Sequence, residues 1–467
     1  MTHVLQRIGR LITGLMVLCL SIQGHGQTES ETDEQPAESS PERVSVYETL
    51  VFDRPVAVLP GEEPVANDAV VVYTNTVPPG ELSADQVLSL QRFQDNVSAV
   101  EFEGGAWDIN LTENLTSIGE IYQRQGMHQE AIDAYTRAMH VSRVNFGLNS
   151  LDHLPLVERL VDSYMVLGDW ESANQYQEYL YYTQRREYGM NDPRMATVMH
   201  RRANWELSVF NARWGDELGG KLINALNLYR SASTLVSIHF GPNDERYSRY
   251  LRDTAGTAYL VSRYQTLIRE TTPAQYSPAQ NFYLESPRGG FSMGFEDGYE
   301  DGLSALQSLV ESFPEEDRNT EEYAQALILE ADWYLLFERR RAAQERYRAA
   351  YTVIEALENA EALIDRTFGA VKPLPYFSEL IESIFVKGNF EGRASVAQET
   401  GYIDVQFDVN AYGSVANLEV LTDDAEVDSR VVSTLRRQIR RTVFRPRVQD
   451  GEVIRTSGNR FRYRYAY

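Results

Sequence analysis

The middle of the chain repeats a fixed spacing of small and aromatic residues, and this repeat restricts the fold more than any other feature. The clearest copy, LTSIGEIYQRQGMHQEAIDAYTRAM, has the recurring positions Ile118, Gly119, Tyr122, Gly126, Ala131, Tyr135 and Ala138. The same spacing returns 42 residues later at Leu160, Tyr164, Gly168 and Ala173. A period of this kind predicts helix pairs that stack into one elongated array.

Each position in the first copy has a packing role that its residue type explains. Gly119 and Ala131 are small enough for two antiparallel helices to approach closely. Tyr122 and Tyr135 fill the layer between those helices, and Gly126 ends the first one. The pattern resembles the tetratricopeptide repeat. Its long period resembles the kinesin-light-chain form, because ordinary repeats have roughly 34 residues.

The tetratricopeptide resemblance implies a mainly α fold with a helical-repeat solenoid over residues 110–358. Weaker copies lie at Gly220, Ala225, Tyr229 and Ala232, at Ala255, Gly256 and Tyr259, and at Tyr334, Ala343, Tyr347 and Ala350. The links between copies also recur, as FGLNS, YGMNDP and FGPND. Stacked repeats leave a concave surface lined by the first helix of each pair. The resemblance therefore implies a groove that binds segments of other proteins.

A segment rich in proline, glycine and aromatic residues interrupts the repeats at 271–302. It contains three prolines, five glycines and six aromatic residues. Helix packing cannot continue through such a composition, so we expect a loop that lies over one face of the array. Exposed aromatic side chains beside glycine suit recognition, which makes Phe291, Phe295 and Tyr299 candidate partner-binding residues. The alternative is an insertion that has no role of its own.

Near the C-terminus the hydrophobic pattern changes from a helical period to a period of two. YIDVQFDV alternates apolar and polar residues, and SVANLEVL continues after a turn as a second strand. DSRVVSTLRRQIRRTVF indicates an amphipathic helix whose outer side carries Arg436, Arg437, Arg440 and Arg441. A Phe-Arg-Pro corner, an Asp-Gly turn and a last strand from Arg460 follow. We expect a separate small α+β domain at 401–467, without which the array still folds.

The order of these elements resembles the C-terminal domain of the TonB energy-transducer family. Gly401, Gly413 and the Phe444–Pro446 corner carry the resemblance together with the alternating strands. The resemblance implies a binding module whose last strand can pair with an extended segment of a partner. Transducers of that family keep a membrane anchor and a long proline-rich spacer, whereas this chain has a repeat array in place of the spacer.

The last strand, RFRYRYAY, alternates arginine with aromatic residues. A period of two places the aromatic residues against the helix; these are Phe461, Tyr463 and Tyr465. The arginines on the other side are candidate partner-binding residues; these are Arg460, Arg462 and Arg464. The alternative is a solvated strand face that discourages unwanted edge pairing. The net charge of −24 disfavours a third interpretation, an arm that binds nucleic acid.

The N-terminus has the pattern of an export signal. Arg7 and Arg10 precede the apolar run LITGLMVLCLSI, and small residues follow it. We expect a cleaved signal peptide at 1–26 and a periplasmic protein. The alternatives are an uncleaved membrane anchor and a lipid attached at Cys19. Since Cys19 is the only cysteine, cleavage excludes disulfides and cysteine metal sites.

The remaining segments carry weaker patterns. Residues 27–45 are rich in acids and predict a disordered linker. Residues 46–105 contain prolines and short β-branched runs, which indicate irregular structure with a strand or two. Residues 359–400 are expected to link the array to the C-terminal domain.

No motif for catalysis or cofactor binding is recognisable. The five histidines beyond residue 26 lack a zinc-binding spacing, and no glycine-rich phosphate loop is present. The acids of FEDGYEDG do not follow the EF-hand order. We therefore expect no catalytic, cofactor-binding or metal-binding residues. The sequence favours a non-enzymatic periplasmic scaffold that binds other envelope proteins. An atypical TonB-like transducer in a membrane transport complex and an unrecognised envelope enzyme are the alternatives.

Overall fold

The structure is a computed structural model of the chain. It describes residues 51–52, 55–58, 80, 82–271, 298–375, 400–422 and 427–466. All of these residues belong to one unit of the chain, which runs from residue 45 onward. Helices form most of this unit, and a small antiparallel sheet lies near its C-terminal end.

Helices packed side by side form the array. Their bounds are α1 (Ala84–Gly104), α2 (Leu111–Arg124), α3 (His128–Phe146), α4 (Leu154–Val166), α5 (Trp170–Tyr188), α6 (Arg194–Asn211), α7 (Leu218–Phe240), α8 (Glu245–Arg263), α9 (Gln265–Thr271), α10 (Gly298–Glu311), α11 (Glu321–Leu336), α12 (Arg340–Glu355) and α13 (Ala360–Phe368). The packed pairs are α2 with α3, α4 with α5, α6 with α7, α8 with α10, and α11 with α12. Within the described residues, the helix pairs that the repeats predict are confirmed.

Close approach within the first helix pair depends on Gly119. A Cβ atom added at this residue would lie 2.5 Å from Cε1 of Tyr135, so a larger side chain would force the helices apart. Ala131, Tyr135 and Ala138 are fully buried. Tyr122 is partly buried beside them. The small residues and tyrosines of this copy therefore pack as the spacing predicts.

The second copy packs in the same way as the first. Gly126 and Gly168 follow α2 and α4 with a φ of +74°, a left-handed conformation that glycine adopts without strain. Ala173 is fully buried. The ring of Tyr164 stacks on Tyr176, with 5.7 Å between their centroids. Small residues of the later copies are also buried; these are Gly220, Ala225, Ala232, Ala255, Gly256, Ala343 and Ala350.

The array resumes earlier after the insertion than the sequence predicted. Helix α10 begins at Gly298, within the segment 271–302 that was expected to be a loop. A Cβ atom on Gly298 would lie 2.1 Å from the carbonyl oxygen of Ala258, so α10 packs directly on α8. The insertion therefore separates the two helices of one pair. Residues 272–297 lie outside the described part of the chain.

The prediction of irregular structure over 46–105 is wrong where α1 forms. Ser83 caps this helix, because its Oγ accepts a hydrogen bond from the Gln86 amide and its own amide donates to the Gln86 side chain. Leu90 and Val97 are buried against the first helix pair. Helix α1 thus covers the end of the array, as terminal elements of stacked repeats must do.

The strands form one main sheet and two short two-stranded pairs. Their bounds are β1 (Val51–Phe52), β2 (Val56–Ala57), β3 (Lys372–Pro373), β4 (Thr400–Val409), β5 (Val415–Val420), β6 (Phe444–Arg445), β7 (Arg447–Gln449), β8 (Glu452–Ile454) and β9 (Thr456–Ala466). The main sheet has the order β1–β9–β4–β5, with β2 also on β9, and its pairs are antiparallel. Helix α14 (Ser429–Arg441) packs on one face. The predicted hairpin, helix and last strand are present, although β9 begins at Thr456 and not at Arg460.

The prediction of a linker over 359–400 is wrong for its first part. Helix α13 packs on α12, and β3 pairs with β6 of the C-terminal domain. Leu374 and Val448 are buried in one cluster with Leu327 of the last helix pair. The array and the C-terminal domain therefore share a core, which contradicts the expectation of separate units. Residues 376–399 lie outside the described residues.

Candidate protein-interaction surfaces

The inner side of β9 is the part of the last strand that the sequence predicted most directly. Phe461 and Tyr463 are each 3% exposed, and Tyr465 is 8% exposed. They join a cluster that includes Leu435 and Ile439 of α14. Burial raises the pKa of the Tyr463 hydroxyl, so this group stays neutral. The aromatic residues thus hold the helix on the sheet, as predicted.

The outer arginines of β9 bind residues of the neighbouring strand β4. Arg462 donates from Nε and Nη2 to the two carboxylate oxygens of Asp404, each at 2.7 Å, and this hydrogen bonding raises the pKa of Arg462. Arg460 is exposed and donates from Nε to Oε1 of Gln406 at 2.9 Å. Arg464 is partly buried. These contacts give Arg460 and Arg462 a structural role, and their binding of a partner stays a prediction.

The outer edge of β9, which the resemblance to TonB assigns to a partner strand, is occupied by the chain's own N-terminal strands. Strand β1 pairs Val51 with Ala466, and β2 pairs Val56 with Arg462. The Val58 amide also donates to the carbonyl oxygen of Arg460 at 2.9 Å. The β-branched residues of VFDRPVAV were the only sign of these strands. Nothing in the sequence indicates which strand they would pair with.

The predicted loop residues have different outcomes. Tyr299 lies in α10 and packs inside the array. Its ring centroid is 4.9 Å from that of Phe337, in an edge-to-face contact, and 6.3 Å from that of Trp333. The expectation that Tyr299 projects from a loop is therefore wrong, because the helix resumes before it. Phe291 and Phe295 lie outside the described residues, so their role stays a prediction.

The first helices of successive pairs contact one another through polar side chains. Between α2 and α4, Gln123 donates to Oγ of Ser163 at 3.0 Å. Between α6 and α4, Arg201 donates to Glu158 at 2.9 Å, and these two side chains are 52% and 49% exposed. Ser163 is buried, whereas Arg201 and Glu158 reach the exposed side of these helices. We call the exposed side of α2, α4, α6 and α8 the first-helix face.

A histidine and an aspartate connect α6 to α8. Nε2 of His200 lies 2.8 Å from Oδ2 of Asp253, and the two side chains are 12% and 11% exposed. The imidazole ring also stacks on Tyr250, with 4.1 Å between centroids. Its hydrogen bond and its ring face are thus both engaged within the array. The contacts indicate a structural connection between repeats.

A pocket of about 480 Å³ lies beside α3. Its lining includes Trp107, Ile132, Asp133, Arg137, His140 and Tyr164. Arg137 is also paired with Glu101 of α1, and burial raises the pKa of the Tyr164 hydroxyl. Most of these lining residues are polar, and Trp107 and Ile132 are among the apolar members. Sequence reasoning missed this pocket because it forms between elements that are distant along the chain.

A buried ion pair joins the C-terminal domain to the last helix pair. Arg445, the arginine of the Phe-Arg-Pro corner, donates from Nε to Oδ1 of Asp332 at 2.9 Å and from Nη2 to Oδ2. The Tyr347 hydroxyl donates to the same Oδ1 at 2.6 Å. Arg445 is 4% exposed, Asp332 0% and Tyr347 1%. Burial, and then the charge of Asp332, raise the pKa of Tyr347 well above its usual value. We call these three residues the junction.

No helix in the described part of the chain is long and apolar enough to cross a membrane. Among the same residues, no group of three or more histidine, cysteine, aspartate or glutamate side chains is placed to hold a metal ion. The absence of catalytic, cofactor-binding and metal-binding residues from the whole chain stays a prediction.

No protein-family model and no curated protein matches the chain. Solved repeat proteins are similar in structure. A Podosopora anserina protein described by kinesin light chain TPR-like repeats is 12% identical, with a TM-score of 0.34 over 53% of this chain and 96% of that one. BtubC (BKLC) from P. vanneervenii is 13% identical, with a TM-score of 0.33 over 63% of this chain and 95% of that one.

A third similar structure is the TPR2AB domain of yeast Sti1 in its complex with pHSP90. It is 12% identical, with a TM-score of 0.20 over 65% of this chain and 98% of that one. TM-scores this low give no basis for inferring function. The assignment of the chain to the helical-repeat class rests on its own helix pairs.

Proposed function

We propose that the protein is a non-enzymatic periplasmic scaffold that binds other envelope proteins through its helical array and its C-terminal domain. The first-helix face is the observation that carries this proposal. Polar contacts connect the four first helices to one another. On their exposed side, the charged side chains of Arg201 and Glu158 are each about half exposed. Such a face offers polar anchors at the repeat spacing to an extended partner segment.

The C-terminal domain supports a second contact in this proposal. Its strands and helix form an α+β part of the fold, and the sequence resemblance to the TonB family supports a binding role for it. The junction ties the domain to the array, so we infer that the two modules hold their partners in a fixed relative position. Export to the periplasm rests on the sequence of residues 1–26, which lie outside the described residues.

An energy-transducing role within a membrane transport complex is the weaker candidate. Such a role needs a free edge on the last strand for a partner strand. Strands β1 and β2 occupy that edge of β9. A transducer would first have to displace them, whereas the scaffold function needs no rearrangement.

Photocrosslinking of the full chain in living cells tests both candidates. A photoreactive residue replaces Arg201 on the first-helix face or Arg462 on β9. The control replaces Leu88 on α1, which is 61% exposed. We expect specific envelope proteins to be linked at position 201. The same adducts at equal yield from position 88 would contradict a defined binding face. Adducts of a motor subunit or an outer-membrane receptor at position 462 would support transduction instead.

The location is tested by cell fractionation and by determination of the mature N-terminus. We expect the chain in the periplasmic fraction, beginning after Gly26. An uncut chain in the membrane fraction would favour the anchor, and a cytoplasmic chain would contradict the proposed location.

A further inference from the structure

Helix α14 carries exposed arginines that nothing in the described structure neutralises. Its sequence, SRVVSTLRRQIRR, contains five arginines and no acid, although the chain has 68 acids against 44 lysines and arginines. All five arginines are exposed, and we call four of them the arginine patch; these are Arg436, Arg437, Arg440 and Arg441. Within the described residues, none of the four makes a hydrogen bond or an ion pair.

The arginine patch has a compact geometry. Arg436 and Arg440 are four residues apart, as are Arg437 and Arg441, so each pair lies one helical turn apart on one side. Buried Leu435 fixes the opposite side of α14 on the sheet, and the patch therefore points away from the core. Like charges at this spacing repel each other. An anion placed among them would relieve that repulsion, and guanidinium groups match carboxylates with paired donors.

Helix stability accounts for only part of the arginine patch. Arg440 and Arg441 lie in the last turn, where positive charge favours the helix dipole. Arg436 and Arg437 precede that turn and gain less from it. By contrast, Arg455 elsewhere in the same domain pairs with a carboxylate at 3.0 Å. The patch is therefore an unneutralised concentration of positive charge in an otherwise acidic protein.

We propose that the arginine patch binds a short acidic segment of a partner protein. This inference rests on the proposed scaffold function and names the chemistry of one partner. A membrane or a nucleic acid would extend more than a Debye length, about 8 Å, beyond the patch and would there meet other parts of a chain of net charge −24. The exposed residues of α14 are also all polar, so the helix offers nothing to insert into a bilayer. A short acidic segment contacts the patch alone.

Titration of the full chain with a labelled peptide of alternating glutamate and serine tests this proposal. The comparison peptide has glutamine in place of glutamate. The test variant carries R436Q, R437Q, R440Q and R441Q. We expect it to bind the acidic peptide roughly tenfold more weakly than the natural chain, because each exposed charge pair contributes modestly. Replacing the same four arginines by lysine keeps the charge without the paired donors, so we expect binding between that of the natural chain and that of the test variant, which separates charge from folding.

The matched control replaces four exposed arginines outside the C-terminal domain by glutamine; these are Arg92, Arg186, Arg263 and Arg269. It has the same net charge as the test variant, and we expect its affinity to stay within about twofold of the natural chain. Equal weakening in both variants, or equal binding of both peptides, would overturn the proposal. So would patch-dependent binding to vesicles of anionic phospholipid without binding of the acidic peptide. The titration uses a defined peptide, whereas the crosslinking test uses the natural partners in the cell. Failure of the peptide to bind would therefore not decide the crosslinking test of the scaffold function.

Discussion

Replacing Arg445 by alanine tests whether the array and the C-terminal domain fold as one unit. Arg445 is 4% exposed and its partner Asp332 is fully buried, so the change leaves a carboxylate without its cation where water is excluded. Removing one member of a buried ion pair costs about 3–5 kcal/mol of unfolding free energy. The hydroxyl of Tyr347 still donates to Asp332. We therefore expect a loss near the lower end, about 3 kcal/mol.

The assay is urea unfolding of the full chain, followed by circular dichroism, with hydrogen exchange to locate the loss. Arg455→Ala is the matched control, because Arg455 pairs with Asp408 in the same domain but is 62% exposed. Exposed pairs contribute about 0–1 kcal/mol. We expect R445A to lose about 2 kcal/mol more than R455A. Its faster exchange should extend into α11 and α12, which lie across the junction.

Two results would refute this reasoning. Equal losses in R445A and R455A would show that the junction contributes no more than a surface pair. Faster exchange confined to the C-terminal sheet would show that the array does not depend on the junction. The double variant R445M/D332L removes both charges, and such replacements are often neutral or stabilising. If it is as unstable as R445A, lost packing and not the buried charge is the cause.

Three further predictions concern other parts of the fold. Gly119→Ala should lower the unfolding free energy by about 1–3 kcal/mol, because the new Cβ would lie 2.5 Å from the Tyr135 ring. Thermal unfolding measures this loss, and an unchanged unfolding midpoint would contradict the close packing. Val58→Pro removes the hydrogen bond to the Arg460 carbonyl and should lower the unfolding free energy by about 1 kcal/mol. Hydrogen exchange along β9 should become faster, and unaltered exchange would contradict the edge pairing. Burial raises the pKa of Glu330, although Arg346, 2.9 Å away, opposes this shift. The folded protein therefore loses stability as pH rises from the usual glutamate pKa to the raised one, and the loss is complete above it. Glu330→Gln should therefore stabilise the protein above neutral pH, with the gain shrinking in acid; equal destabilisation at every pH contradicts this.

The repeat core was predictable from the sequence because its determinants are local. Gly119 and Tyr135 belong to the two helices of one pair, and a single turn near Gly126 brings them together. The same spacing then recurs in the next copy, so one interpretation applies to several pairs. The inner side of β9 was predictable for a similar reason, since a period of two assigns each residue to one face.

The contacts that join distant segments were not predictable. Arg445 and Asp332 are 113 residues apart, and the chain offers 44 lysines and arginines as potential partners for any acid. The one signal was Asp332 itself, an acid within the apolar stretch LILEADWYLL, where burial requires a partner. No residue in the sequence gave a comparable signal for the pairing of β1 with β9. A hydrophobic period shows that a strand has a buried face but does not identify its neighbour.

Attachment of the N-terminal strands to β9 restricts how far the repeat array can vary in curvature and twist. Val58 bonds to the sheet edge, and Gly80 bonds to Gln125 at the turn after α2. The chain between Val58 and Gly80 can span at most about 75 Å when fully extended. Repeat solenoids vary in curvature and twist through small rotations between repeats. In this chain, any such variation must keep Val58 and Gly80 within that distance for as long as both hydrogen bonds are retained.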